Sequence, residues 1–310
     1  MNEVERVCSD LNAALDELRG AGFRLDSIFP ADDPTTALLS RGDEVLRVTT
    51  RPGSALPSEI PSFQPGFVLT RTGGDGGQGR AGMIYRDLVP GRLGGRYIAS
   101  HIAIPDGGPV ADWVHYHRVA LQLIVVRRGW VRVVYEDQGE PFVMQAGDLV
   151  LQPPEIRHRV LESSPGLEVV EISCPALHET LADHDLELPN GTSPERLFGG
   201  QSFVRHIGAA APWIPFQGGE AQATNIADAT RGFADARFLR SAGSAPIAFV
   251  GHHGELVFGF VFEGSASLGF GAGFALGPAD SFVIPPGETW TLDDASADFR
   301  LLYVTTARLG

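Results

Sequence analysis

The residues best suited to chemistry in this 310-residue chain sit in one short stretch, His115-Tyr116-His117. Two imidazoles at positions i and i+2 point to the same side of a β-strand, because successive side chains alternate across it. If the strand belongs to a barrel, that side is the lumen, and two nitrogen donors share an enclosed space. His158 follows the turn at Pro153-Pro154 on a later strand and can complete a set of three. Gln122 lies an odd number of residues beyond His117, so it joins the same space only if the chain bulges or turns a corner between Val119 and Leu121. Three neutral imidazoles and one amide oxygen suit Fe, Mn, Co, Ni, Cu or Zn better than Ca or Mg. The expected metal ligands are His115, His117, Gln122 and His158, holding one divalent transition metal.

The elements that must position these residues are short strands. Runs at 97–104, 121–126, 130–135, 142–144, 149–152, 159–161 and 167–172 are separated by turn signals such as Arg128-Gly129 and Ala146-Gly-Asp. A second strand-rich region spans Phe233 to Thr305. The two regions repeat: Gly129 corresponds to Gly264, and Asp148-Leu-Val-Leu-Gln-Pro-Pro to Asp280-Ser-Phe-Val-Ile-Pro-Pro. The offsets of 135 and 132 residues differ by one short loop, the mark of an internal duplication.

Ahead of the repeat, Val7, Leu11, Ala14, Leu15 and Leu18 predict a helix over residues 5–19, stopped by Gly20 and Gly22 and followed by three short strands. The run GFRLDSIFPADDP with ALLSRGDEVLRV resembles half of a glyoxalase-type βαβββ module over about 45 residues, without the His or Glu positions where such modules bind metal. A packing or dimerisation unit is expected. Residues 51–80 turn to Pro, Ser and Gly and end in Gly74-Asp-Gly-Gly-Gln-Gly; with no Lys-Ser/Thr and no following helix, this is a linker and not a phosphate loop.

The two half-motifs, His115-x-His117-x4-Gln122-x6-Gly129 and Gly147-x5-Pro153-Pro154-x3-His158, resemble those of the cupin superfamily. The resemblance implies a mostly β chain, two double-stranded β-helix (jelly-roll) barrels preceded by a small α/β segment. The expected division is 1–50 for that segment, 51–80 linker, 81–175 the first barrel with the metal site, 176–205 a connecting segment, and 206–310 the second barrel. Family members usually carry Glu where Gln122 stands, although cupin-type hydroxynitrile lyases carry Gln. By resemblance, a three-histidine pocket implies a metal-dependent oxidoreductase, a dioxygenase cleaving an aromatic or β-dicarbonyl compound. The alternatives are a Lewis-acid lyase, isomerase or cyclase, and a non-catalytic small-molecule-binding protein. Neutral Gln122 makes the metal a stronger Lewis acid and removes a carboxylate base. Glu155, Tyr116 and His101 are then candidate bases by sequence proximity, with His101 expected as a packed or supporting histidine.

In the second barrel, alignment on Gly264 puts Val250 and His252 at the histidine pair, Val257 at Gln122 and Trp290 at His158. Indole cannot ligate metal, so this barrel is expected to be scaffold, with an off-register set at His252, His253 and Glu255 as the lesser alternative. Trp113 precedes the motif, and strand parity turns Tyr116 and Arg157 away from the lumen. His178 and His184 fall in a polar segment and are expected on a solvated face. Cys8 and Cys174 show no metal or redox spacing and are expected as reduced structural thiols.

The formal charge of −14 and pI near 5.0 exclude a phosphate-backbone partner. The acidic start and the absence of an 18-residue apolar run argue for no membrane association and a cytoplasmic location. The expected partner is a small-molecule substrate, and exposed barrel edges favour a homodimer.

Overall fold

Side-chain parity along three strands, Ile98–Ile104, Leu121–Arg128 and Leu167–Cys174, sets the layout. In the computed structural model, which describes residues 3–53, 59–73, 77–78, 83–243 and 245–309, these strands pair antiparallel within one sheet. One face carries Ile98, Ile102, Gln122, Ile124, Val169 and Glu171 into a cavity. The alternate residues Ala99, Leu121, Leu123, Val125, Val170 and Ile172 enter a hydrophobic core on the other face.

That core is shared with the second half of the chain. It receives Ala236 and Phe238 from Ala234–Ser241, Phe258, Phe260 and Phe262 from Val257–Glu263, and Leu302 and Val304 from Arg300–Thr306. Two sheets thus stand back to back over one apolar slab, and the far face of each lines its own barrel. At the edge of the slab Arg96 donates to both carboxylate oxygens of Glu255, at 2.9 and 2.8 Å, and the Tyr97 hydroxyl donates to the same carboxylate at 2.9 Å.

The duplication is visible strand by strand. Leu121–Arg128 lies between Leu149–Leu151 and Leu167–Cys174, as Val257–Glu263 lies between Ser281–Val283 and Arg300–Thr306. Gly129 and Gly264 both take positive φ, 76° and 70°. A Cβ there would fall 2.3 Å from the Ser164 hydroxyl and 2.4 Å from that of Ser296, the same oxygens that accept the N–H of Trp130 and Ser265. Both turns therefore require glycine.

The N-terminal helix starts later than expected. Residues Glu3–Val7 form a strand parallel to Glu44–Thr49, and the helix covers Leu11–Gly20. Asp10 caps it by accepting the Ala13 N–H at 3.1 Å, while the valines of Glu-Val-Glu-Arg-Val favour extended backbone before it. With Arg24–Phe29, Thr36–Arg41 and Glu44–Thr49 the segment forms a βαβββ unit. Its sheet does not stop there, because Arg24–Phe29 pairs with Thr180–Ala182, and that strand pairs with His115–Tyr116.

Two segments expected as connections carry strands. Val68–Thr70, within the expected linker, pairs with Ser281–Val283 of the second barrel. Thr180–Ala182, within the expected connecting segment, and Val204–His206, across its expected end at residue 205, join the sheets of the first. The glycine-rich stretch beginning at Gly74 lies largely outside the described residues. No helix among those described is long and apolar enough to cross a membrane.

Candidate metal centre

His115 and His158 face each other across paired strands, ring centroids 4.2 Å apart, and the His117 ring stands 5.3 and 5.4 Å from them. All three are buried, and one ring nitrogen of each lies within 4.8 Å of the others. Backbone carbonyls fix the tautomers: Nδ1 of His115 meets Trp113 O at 2.8 Å, that of His117 meets Glu179 O at 3.0 Å, and that of His158 meets Ile156 O at 3.0 Å. A carbonyl only accepts, so each Nδ1 carries the proton and each Nε2 the lone pair. Three buried imidazoles oriented in this way fit a late divalent metal, since a hydrogen bond at the far nitrogen is how proteins orient histidine ligands.

Gln122 reaches the same cavity because the chain does turn a corner. His115–Tyr116 belongs to one sheet, and Leu121–Arg128 begins the next. The Gln122 amide nitrogen donates to Glu171 Oε1 at 2.8 Å, which turns its oxygen the other way, to accept from Gln152 Nε2 at 3.2 Å. Gln152 Nε2 also lies 3.1 Å from His158 Nε2, and its oxygen accepts from the Tyr135 hydroxyl at 2.9 Å. Burial raises the Tyr135 phenol far above its ordinary pKa, so it stays a donor. The neutral amide of Gln122 is thus oriented by a carboxylate and linked to the histidines through a second amide.

The cavity holds about 140 Å³ and is mostly apolar, walled by Ile98, Ile102, Ile124, Val131, Val133 and Met144. Met83, Ala31 and Asp32 also line it, the last two from the N-terminal unit. None of the candidate bases lines it. Glu155 pairs with Arg118 on an outer groove, and Tyr116 lies under the Arg157 guanidinium at 4.0 Å, as parity required. His101 points into the slab, 2.9 Å from Glu168 and stacked on Phe260. Trp113 packs edge-on behind His115.

Glu171 is a carboxylate that does face the cavity, missed because only the inward parity of Leu167, Val169 and Glu171 reveals it. His178 corrects the expectation of a solvated face: it is 5% exposed, lines the cavity, and packs edge-on against His117 at 5.4 Å. His184 keeps the expected solvated position, exposed beside Asp26 of the N-terminal unit at 3.3 Å. Cys8 and Cys174 are both unbridged, and burial pushes the Cys174 thiol up to about 12, too high for a nucleophile near neutral pH.

The second barrel keeps the frame and fills the site. Phe249 pairs with Trp290 as His115 pairs with His158, so Phe249, not Val250, takes the place of the first histidine. The alignment slipped by one because the loop is longer; Val250 is 80% exposed. Trp290 lies flat on Phe249 at 3.7 Å. Ile284 donates its N–H to Val257 O as Gln152 does to Gln122 O, so both amides have become aliphatic. The His252 ring contacts Thr306 O at 2.8 Å, and Glu255 is held by Arg96 and Tyr97, which removes the off-register set. Among the described residues, the one cluster suited to metal is that of the first barrel.

Residues 100–172, which contain all four expected ligands, match the Cupin domain family. No curated protein matches the chain. Among solved structures, the protein Ylba from E. coli superposes with a TM-score of 0.58 at 11% identity, over 81% of this chain and 95% of that one. A tryptophan-to-phenylalanine variant of B. subtilis oxalate decarboxylase gives 0.55 at 12% identity, covering 84% and 81%. The Lactobacillus farciminis oxalate decarboxylase formate complex gives 0.55 at 14%, covering 83% and 88%. Likeness at these identities shows a shared fold, and coverage of more than four fifths takes in both halves of the chain. Residues 100–172 are a cupin domain, and the chain has the cupin fold.

Proposed function

We propose that the chain is a metal-dependent enzyme whose first barrel cleaves a small β-dicarbonyl compound with dioxygen. The carrying observation is the three-histidine cluster inside an apolar cavity, each Nδ1 engaged by a backbone carbonyl so that each Nε2 carries the lone pair, that of His158 accepting from Gln152 Nε2 at 3.1 Å. His115, His117 and His158 would hold the ion with Gln122 as the fourth donor, and the ion would supply Lewis acidity toward the substrate's oxygens. The cavity volume of about 140 Å³ is close to the roughly 150 Å³ that accommodates benzene, so a compact dicarbonyl fits and a three-ring flavonol does not. Ile98, Ile102, Ile124, Val131 and Val133 keep water from the reacting end, and Glu171 holds the Gln122 amide in place. In the reaction one carbon–carbon bond of the substrate breaks, both atoms of dioxygen enter the two carbonyl products, and no external reductant is consumed.

The lining includes the carboxylates of Asp32 and Glu171 and no Lys or Arg, which works against a small dianion such as oxalate. A second reading uses the same metal for a lyase or isomerase step without dioxygen. It is favoured by Gln122, whose neutral amide leaves the ion's charge undiminished.

The deciding experiment is elemental analysis of protein purified without chelator, followed by oxygen-electrode recording with β-diketones, catechols and flavonols. One metal per chain with uptake on small β-diketones is the expected result. Bound metal without uptake on any of them moves the assignment to lyase or isomerase chemistry, and an absence of metal overturns the proposal. His115→Ala, His117→Ala and His158→Ala should each lose the metal, while His252→Ala keeps it.

A further inference from the structure

His178 stands where two spaces meet. Its ring lines the inner cavity beside His117 and also borders an outer groove formed with Arg118, Pro154, Glu155 and Glu179. Its Nδ1 lies 3.0 Å from the Pro175 carbonyl, so the proton sits on Nδ1 and the lone pair on Nε2. That Nε2 is buried and has no hydrogen-bond partner. A buried acceptor left unsatisfied is costly, and here the backbone itself enforces the tautomer that creates it.

Several other polar groups of the cavity satisfy one another. Tyr135 donates to Gln152, Gln152 to Gln122, and both Gln122 and Ser173 donate to Glu171. Of the buried side-chain atoms without a partner, Nε2 of His178 is the one whose residue lines this cavity, among those described. The acidic lining disfavours an anion, and Asp32 is already engaged by Arg92 at 2.6 Å.

We infer that His178 Nε2 accepts a hydrogen bond from a hydroxyl or N–H group of the molecule bound in the cavity, and so selects it. The ligand class is a small uncharged molecule with an apolar body and one such donor: within the proposed function, an enol or amide-bearing dicarbonyl and not a fully esterified one. The inference rests on the first-barrel cavity being the ligand site, and not on which metal is bound or which reaction follows.

The test compares phenol with toluene, equal in heavy atoms and different in the donor, by calorimetric titration of the full chain with and without Zn2+. Wild type should bind phenol about tenfold more tightly than toluene, the worth of one hydrogen bond. His178→Phe should bring phenol to the level of toluene without changing toluene, and His178→Asn, which keeps an acceptor, should restore part of the preference. Equal binding of the two probes by wild type, binding of neither, or a preference that survives His178→Phe overturns the inference. Metal content measured on the same samples separates the readings. A chain that holds its metal but shows no phenol preference refutes the role of His178 alone, and loss of metal in His178→Phe assigns His178 to supporting His117 instead.

Discussion

Replacing Trp290 with alanine tests whether the second barrel is packed scaffold. The indole is 3% exposed, lies flat on Phe249 with planes 1° apart, and meets Phe282 edge-on at 5.4 Å and Tyr303 at 6.0 Å. Truncating a buried aromatic of this size removes its transfer free energy and leaves a cavity between side chains that cannot collapse fully, at a cost of about 3 to 5 kcal/mol. Set against a domain stability of about 5 to 15 kcal/mol, that is a large share of the total. At about 2 °C per kcal/mol for a chain of this size, the melting temperature should fall by about 6 to 10 °C in scanning calorimetry. Trp290→Phe should fall by less. Because Phe238, Phe258 and Phe260 share a core with Leu121, Leu123 and Leu151, the two barrels should still unfold in one transition. Metal content of the folded variant should match wild type. An unchanged melting temperature would refute the packing argument, and metal loss from the folded variant would show that Trp290 supports the first barrel's centre.

Two further outcomes follow from charges at and near the slab. Glu255→Ala leaves the buried Arg96 guanidinium without its carboxylate and should cost about 3 to 5 kcal/mol in urea denaturation, whereas the double change Arg96→Met with Glu255→Leu should cost much less. Glu168 is held down to about 2 from its ordinary 4.5, first by the hydrogen bond from His101 and then by Arg127. A carboxylate depressed in the folded state adds stability above its unfolded pKa and loses it as pH falls, here between about 4.5 and 2. Urea midpoints measured down this range should drop more steeply for wild type than for Glu168→Gln.

The three histidines were legible because each requirement is local: an i, i+2 pair on a strand, and a third residue fixed by a Pro-Pro turn. The duplication was legible from two glycine turns and two Asp-to-Pro-Pro strands. What the sequence hid depends on closure of the barrel. Glu171 and Gln152 enter the cavity only through the parity of strands whose pairing is non-local, and His178 follows the strand in a segment whose polarity resembles surface. Phe249 was displaced by a single residue because a longer loop precedes Val257, and a ladder, not a spacing, fixes that register. The strand Glu3–Val7 was absorbed into a helix because Val7 happens to match the helical period, while Asp10 marks the true start.

The strand that carries the first histidine of the cluster is only two residues long, His115–Tyr116, and it lies in a sheet that continues through Thr180–Ala182 into the N-terminal unit. Truncation at residue 50 would therefore do more than remove an appendage. It would strip Thr180–Ala182 of its outer neighbour, leaving an open edge able to pair with other chains, and would take away Ala31 and Asp32 from the lining of the cavity. The first fifty residues thus contribute to the cavity's wall as well as to the sheet, and a chain shortened by them would be more open and more prone to associate.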